Sequence, residues 1–404
     1  MTDARFAAAT STRHDCTLAL REAAEELEDG LGGRSPDLLV AFVSQHHAAE
    51  FETLPRALGS LCEPRVLVGC GAESLVGDGR ELEHQPAISL WAVACEDLEL
   101  TPFRVGAHPL EGWEDDDDPK IEYSGHPDLR RLDTGPSASV LLFGDPYSFP
   151  MSDYLAQLGD EAPELVVTGG MSSGASRPGQ TALFLAGERW NSGAVGVHLT
   201  GGITPTNVVS QAYRPIGEPW VITDCEGPIV RKLGGKPAAK VMMQTLDALS
   251  QEDRALLRSA PMLGVAWDAS RREFESTDFL AHPIRGVAPQ EDAIAIVGQV
   301  RRGLTVQLMI RDPRTAGDDL ARRLERYAGA APAEPHSAGA LLFTCNGRGS
   351  RMFDETDHDV KRVQAQLGPD VPVAGFFAMG EIGRVGEGSQ LHGFTASTAI
   401  YRSL

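Results

Sequence analysis

Positive charge is scarce in this sequence. Its 36 lysines and arginines face 57 aspartates and glutamates, a net charge of −21. A surface that acidic repels phosphate backbones and anionic headgroups, which disfavours nucleic-acid and membrane-surface binding while leaving room for a local basic pocket. Long apolar runs are missing too, and none approaches the roughly 20 residues of a membrane span. The opening MTDARFAAATSTRHD lacks the basic and apolar regions of a secretory signal. The six cysteines (Cys16, Cys62, Cys70, Cys95, Cys225, Cys345) are scattered, with no C-x-x-C pair. That sets aside a disulfide framework or zinc ribbon and suits reduced thiols in a cytoplasmic protein. Nucleotide patterns are absent as well: there is no G-x-x-x-x-G-K-[ST] and no complete G-x-G-x-x-G.

What is present is an internal repeat. At 404 residues the chain exceeds one ordinary core, so two domains or lobes are expected. PDLLVAFVSQ reads as a buried strand, FETLPRALGSLC as a helix through Leu54, Leu58 and Leu61, PRVLVGCGAES as a strand ending in glycines, and AISLWAVA as another strand. The same order returns in ASVLLFGDPYSF, MSDYLAQLG, PELVVTGGMSSG and QTALFLAGERW. It returns again in GALLFTCNGRG, ETDHDVKRVQAQLG, VPVAGFFAMGEIG and LHGFTASTAIY. Each unit is strand, loop, helix, strand, glycine-rich loop, strand, which predicts an α/β fold of duplicated β-α-β-β units. In such sheets the ligand crevice forms at the carboxyl ends of the strands. CNGRG sits at one such end, as do GCG (Gly69–Gly71) and GEIG (Gly380–Gly383).

Between the repeats the pattern changes to a β-rich connecting region. VGVHLTGG, NVVSQAYRPIG, PWVITDCEG and PIVRKLGG read as short strands, and KPAAKVMMQTLDAL as a helix with Pro237 in its first turn. AIAIVGQVRRGLTVQLMIRD reads as a hairpin turning at RRG, and AGDDLARRLERYAG as a helix opened by acids. EGWEDDDDPK is an acidic surface loop, and GAAPAEPHSAG a surface linker.

These residues carry a resemblance. CNGRG, VPVAGFFAMGEIG and LHGFT resemble the C-terminal half of FIST-domain proteins. YRPIGEPWVIT and FLAHPIRGVAPQEDAIAIVGQVRRGLTVQLMIRD are similar to its linking segments, and LLVAFVSQ with VLVGCGAES to its N-terminal half. The resemblance implies two FIST-like lobes: an N-terminal tail and helix start over 1–30, a FIST N-like domain over 31–235 and a FIST C-like domain over 236–404. It further implies a bacterial-type sensory module that binds a small polar metabolite such as an amino acid. With about 30 residues before the first domain and none after Leu404, such a stand-alone sensor would act through a protein partner.

The candidate site follows from the crevice rule. Cys345, Asn346, Gly347, Arg348 and Gly349 form a glycine-rich turn able to aim N–H groups and a guanidinium at a carboxylate. Gly380, Glu381 and Gly383 form the matching turn, with Glu381 placed to hold an ammonium group. The structural alternative is that Arg348 and Glu381 pair with each other. Cys345 as a reactive thiol, activated by His358 or His392, is the rival enzyme or redox-sensor reading. GGMSSG matches G-x-S-x-G formally, but Pro178 and Gly179 break the helix a nucleophile elbow needs. His46 and His47 are adjacent histidines without a third spaced ligand, so no metal site is expected from them. Arg214 is a second candidate anion contact. The sequence leaves the cofactor unknown, and haem stays compatible with it.

Overall fold

The computed structural model describes residues 4–109, 120–127, 133–257, 261–266, 274, 278–288, 292–330, 337–386 and 388–404. Most of the acidic loop EGWEDDDDPK and the centre of the linker GAAPAEPHSAG lie outside the described residues.

The chain opens with β1 (Arg5–Ser11) and α1 (Cys16–Leu31). Asp15 caps α1 by accepting the Leu18 N–H at 2.9 Å, and Gly32 ends it in the left-handed region at φ 66. The first repeat is β2 (Leu38–Ser44), α2 (Leu54–Cys62), β3 (Val66–Ala72), the hairpin β4 (Leu75–Gly77) and β5 (Arg80–Leu82), then β6 (Ile88–Ala94). After β7 (Glu99–Pro109) and β8 (Ile121–Ser124) comes the second. It runs through β9 (Ser139–Gly144), α3 (Met151–Glu161), β10 (Val166–Met171), the hairpin β11 (Leu183–Leu185) and β12 (Glu188–Trp190), and β13 (Ala194–Thr200). β14 (Ile203–Gln211) leads into β15 (Tyr213–Glu226), β16 (Ile229–Leu233), β17 (Lys236–Pro237), α4 (Ala238–Asp247) and α5 (Gln251–Leu257). β18 (Met262–Ala266), β19 (Phe279–Ala288), β20 (Ala293–Ile296), β21 (Thr305–Arg311) and α6 (Pro313–Ala330) follow. The third repeat is β22 (Ala338–Cys345), α7 (His358–Leu367), β23 (Val373–Ala378), the hairpin β24 (Glu381–Val385) and β25 (Gly388–His392), and β26 (Thr395–Ser403). Among the described residues no helix is long and apolar enough to cross a membrane.

Two compact units result: residues up to 210 together with 320 onward, and residues 211–319. The first unit holds all three repeats. In each repeat the strands flanking the helix pair in parallel (β2 with β3, β9 with β10, β22 with β23), and the last strand joins antiparallel. The hairpins do not stay in their own sheets. β4–β5 extends the third repeat's sheet at β23, β11–β12 extends the first at β3, and β24–β25 extends the second at β10. Each repeat therefore completes the sheet of another in a closed three-way cycle.

The register aligns the paired parallel strands of the three repeats residue by residue. Ala41 pairs with Gly69, Leu142 with Gly169 and Leu342 with Gly375. A Cβ on any of these glycines would overlap the carbonyl oxygen of its partner, so backbone must approach backbone there. The next residues along the first strands, Phe42, Phe143 and Phe343, are all fully buried. Their ring centroids are 5.6, 6.3 and 6.1 Å apart, so the rings of the three repeats converge in one core. Phe376 joins them.

The second unit is a seven-stranded sheet ordered β15-β21-β18-β19-β20-β16-β17. The expected hairpin across RRG does not form. β20 lies between β19 and β16, and β21 between β15 and β18, so neither strand has an edge left for the other. Smaller expectations also fail: QTALFLAGERW is the hairpin β11–β12 and not the closing strand of its repeat, which is β13, read from sequence as part of the connecting region. Leu61 is 44% exposed, since the buried stripe of α2 ends at Leu58. LHGFTASTAIY is broken at Gly393 and Phe394, so His392 ends a strand and does not begin one.

Candidate functional site

The glycine-rich turns after the strands meet at one end of the first unit. Met171 donates its N–H to the Gly380 carbonyl at 2.8 Å, and Met379 donates back to Met171 at 3.1 Å. Ser173 Oγ donates to the Phe377 carbonyl and accepts the Glu73 N–H, so this one side chain ties all three repeats together. Ser172 Oγ donates to the Gly71 carbonyl at 2.6 Å. Both serines of GGMSSG are structural, and no helix follows them.

The turn from Cys345 to Gly349 leaves β22 at this end. Arg348 is fully buried, and its partner is Asp359 in the first turn of α7. Nε and Nη2 reach Oδ2 and Oδ1 at 2.7 Å each, a bidentate pair. Nη1 donates to the Phe394 carbonyl at 3.4 Å, and the guanidinium sits 5.1 Å from the centre of the Phe353 ring. Asp359 also accepts the Thr344 hydroxyl at 2.6 Å and meets His358 Nδ1 at 2.8 Å. Burial opposes ionisation of Asp359, but Arg348 and His358 outweigh it and hold the carboxyl well below the usual range. Arg348 thus anchors the turn to the helix start.

Glu81, from the exchanged hairpin β4–β5, completes this buried group. Its Oε1 accepts the N–H groups of Asp359 and Val360 at 2.7 and 3.2 Å, closing the N-terminus of α7. Burial, and next the Asp359 charge, raise its pKa to about 7.

Glu381 is also fully buried, at the start of β24. The register equates it with Leu75 and Leu183 in the other two repeats, so a carboxyl stands where symmetry places leucine. Oε2 accepts the Thr395 N–H at 3.0 Å and its hydroxyl at 2.8 Å. Among the described residues Oε1 has no ordinary hydrogen-bond donor, and the carboxyl neighbours the Cys345 thiol. Burial pushes Glu381 up to about 8, so the carboxyl is largely protonated at neutral pH.

Cys345 is 9% exposed, and its sulfur accepts the N–H of Gly347 at 3.4 Å. Burial, and next the Glu381 charge, raise its pKa far above an ordinary thiol's, so it stays protonated. The group beside it is the Glu381 carboxyl. His358 is committed to Asp359 and stacks on Phe353, and His392 Nε2 pairs with the Gly383 carbonyl at 3.0 Å. Asn346 is half-buried, and its Oδ1 is closed off from solvent without a partner among the described residues. Gly347 lies against the Phe394 ring, and Phe394 holds φ 58, a left-handed backbone that costs a bulky residue about 1–2 kcal/mol. Gly349 takes φ 57 and packs on Glu83 and Phe377. Gly380 supplies the carbonyl to Met171, and Gly383 packs on Val209 and Ser397.

The two turns named from sequence are therefore neighbours, joined through Cys345 and Glu381. Arg348, Asp359, Glu381 and Cys345 form one electrostatically linked cluster. Sequence reading missed Asp359, Glu81 and Thr395, and also the rim pair Arg351–Glu73. Arg351 Nη2 reaches Glu73 at 2.5 Å, and Nη1 donates to the Asn346 carbonyl at 2.8 Å. Only the Asp at the start of a helix pattern, eleven residues after Arg348, offered a signal. Arg214 belongs to the second unit, where it binds Asp253 and Asp312 at 2.5 and 3.1 Å. A surface hollow of about 580 Å³ lies elsewhere in the first unit, between β1, α1 and the end of α7; none of the cluster lines it.

The chain matches the FIST N domain over residues 37–236 and the FIST C domain over residues 238–384. It is 36% identical over 400 residues to the uncharacterized protein Rv0628c of Mycobacterium tuberculosis, covering 98% of this chain and 99% of that one. It is 35% identical over 400 residues to the uncharacterized protein Mb0898c of Mycobacterium bovis, covering 98% of each. FIST domains are described as small-ligand-binding sensory modules of signal transduction. On matches that span most of its length, the chain belongs to the FIST family.

Proposed function

We propose that this protein senses a small polar metabolite carrying an amine, an amino acid being the simplest case, at the Cys345–Glu381 site. The observation that carries the reading is two buried polar groups on adjoining turns, Glu381 Oε1 and Asn346 Oδ1, neither of which has an ordinary hydrogen-bond partner among the described residues. Buried polar groups left unpaired are costly; ligand N–H groups would satisfy Asn346 Oδ1 and, once its proton is lost, Glu381 Oε1. Arg348 is saturated by Asp359, so its part is to fix the turn. An arriving ammonium group would ionise Glu381, and the Gly393–Phe394 corner over Gly347 would have to yield to admit it. A cytoplasmic sensor of this kind would pass its signal to a separate protein, for which half-exposed Met379 on the same turn offers an apolar contact. Capture of a partner that depends on added ligand would support that step; ligand-independent capture counts against it.

The test is a thermal-shift screen of amino acids and biogenic amines at pH 7. At least one compound should raise the Tm of the wild type and leave Glu381→Gln and Asn346→Ala unmoved. Equal shifts in all three proteins would place the binding elsewhere.

A further inference from the structure

The first repeat's counterpart of the Arg348 turn carries different chemistry. Register equates Ser44 with Cys345, and three residues beyond them stand His47 and Arg348. His47 lies in a short 3-10 turn, Gln45–Glu50, between β2 and α2. It is 1% exposed, and its Nε2 is buried with no hydrogen-bond partner among the described residues. A ring nitrogen, the Cys16 sulfur and a Glu50 carboxylate oxygen lie within 4.8 Å of one another. Cys16 comes from the first residue of α1, which β1 carries back against the first sheet. His46, the other histidine of the pair, points to solvent.

We infer that Cys16, His47 and Glu50 form a binding site for a divalent transition-metal ion of the zinc class, with water as fourth ligand. The donor set decides the class. A thiolate with an imidazole disfavours calcium and magnesium, which take oxygen ligands, and suits zinc or its cobalt substitute. Donor atoms of a tetrahedral zinc site stand about 3.5 Å apart. Closing the cluster thus needs movement on the order of 1 Å, which the exposed Glu50 side chain is free to make. The second observation is the buried His47 Nε2: a satisfied core histidine nitrogen has a partner, and among the described residues this one has none. Three protein ligands and an open position resemble reactive or regulatory zinc sites more than closed structural ones. Binding displaces the Cys16 proton, so uptake should acidify a weakly buffered solution.

The experiment uses the full chain stripped with a chelator, then titrated with Zn²⁺ against a chromophoric competitor and, separately, with Co²⁺. The wild type should take up one equivalent of Zn²⁺ and develop a cobalt–thiolate charge-transfer band. Cys16→Ser should abolish the band, and His47→Gln and Glu50→Gln should each weaken Zn²⁺ binding by at least about tenfold. Glu50 is exposed, so its variant stays informative should His47→Gln misfold. Absence of stoichiometric uptake by the wild type overturns the inference. So does a cobalt band that persists in Cys16→Ser, or affinity unchanged in Glu50→Gln.

Discussion

At the scale of single residues, the site is governed by which carboxyls carry protons. Glu381 and Glu81 both have folded-state pKa values above their unfolded ones, at about 8 and about 7. The folded protein therefore binds more protons than the unfolded chain from about pH 4.5 up to those values, and stability falls as pH rises through that window. Glu381→Gln removes one of the two titrations. Denaturant melts between pH 5 and 9 should show the wild type losing stability on the order of a few kcal/mol and the variant losing visibly less. Identical pH profiles would mean that Glu381 is ionised in the free protein. His392 acts in the opposite sense, since burial lowers its pKa to about 4 and stability is lost as pH falls below about 6.5. The buried Arg348–Asp359 pair gives a second prediction. Arg348→Ala strands Asp359 without its cation and should cost about 3–5 kcal/mol. A double variant, Arg348→Met with Asp359→Leu, should recover much of that loss, as read by urea midpoints. No recovery would mean that the charges themselves, beyond their mutual pairing, hold the turn.

At the scale of elements, the strand-to-strand approaches in the first unit tolerate no side chain. Gly375→Ala should therefore lower Tm sharply, by the several degrees or more that a core defect of over 2 kcal/mol produces. An unchanged Tm would show that β22 and β23 can spread. Most elements were legible from periodicity, because buried strands and amphipathic helices write their faces into successive residues. The partners of those elements were not. From sequence Arg348 reads as a ligand contact, with pairing to Glu381 as the alternative, yet a guanidinium fork fits the carboxylate offered at the first turn of α7. RRG looked like a hairpin because the sequence shows two β runs and a turn, but not that other strands already fill both edges of each run.

At the scale of the whole molecule, the exchange of hairpins means that the family halves do not correspond to independent sheets. The sheet of the second repeat, in the FIST N region, ends in β24–β25 from the far C-terminal part, and the hairpin β4–β5 crosses in return to β23. A fragment of residues 1–236 would bare the edge of β10, leave the hairpin β4–β5 unpaired and remove β26, β21 and β20 from β14, β15 and β16. It should show no cooperative thermal transition by circular dichroism, and should regain one on mixing with the remainder of the chain. Cooperative unfolding of the fragment alone would contradict the interlocked fold. The repeat count was readable in the sequence; the exchange was not, since it rests on contacts about a hundred or more residues apart.

The central claim is that Glu381 gives up its proton to receive an amine. Calorimetry of the hit compound at pH 7, in two buffers of different ionisation enthalpy, counts that proton. The account predicts release of close to one proton per ligand bound, with affinity rising from pH 6 to about 8. Binding with no proton release and the same affinity across that range would contradict it.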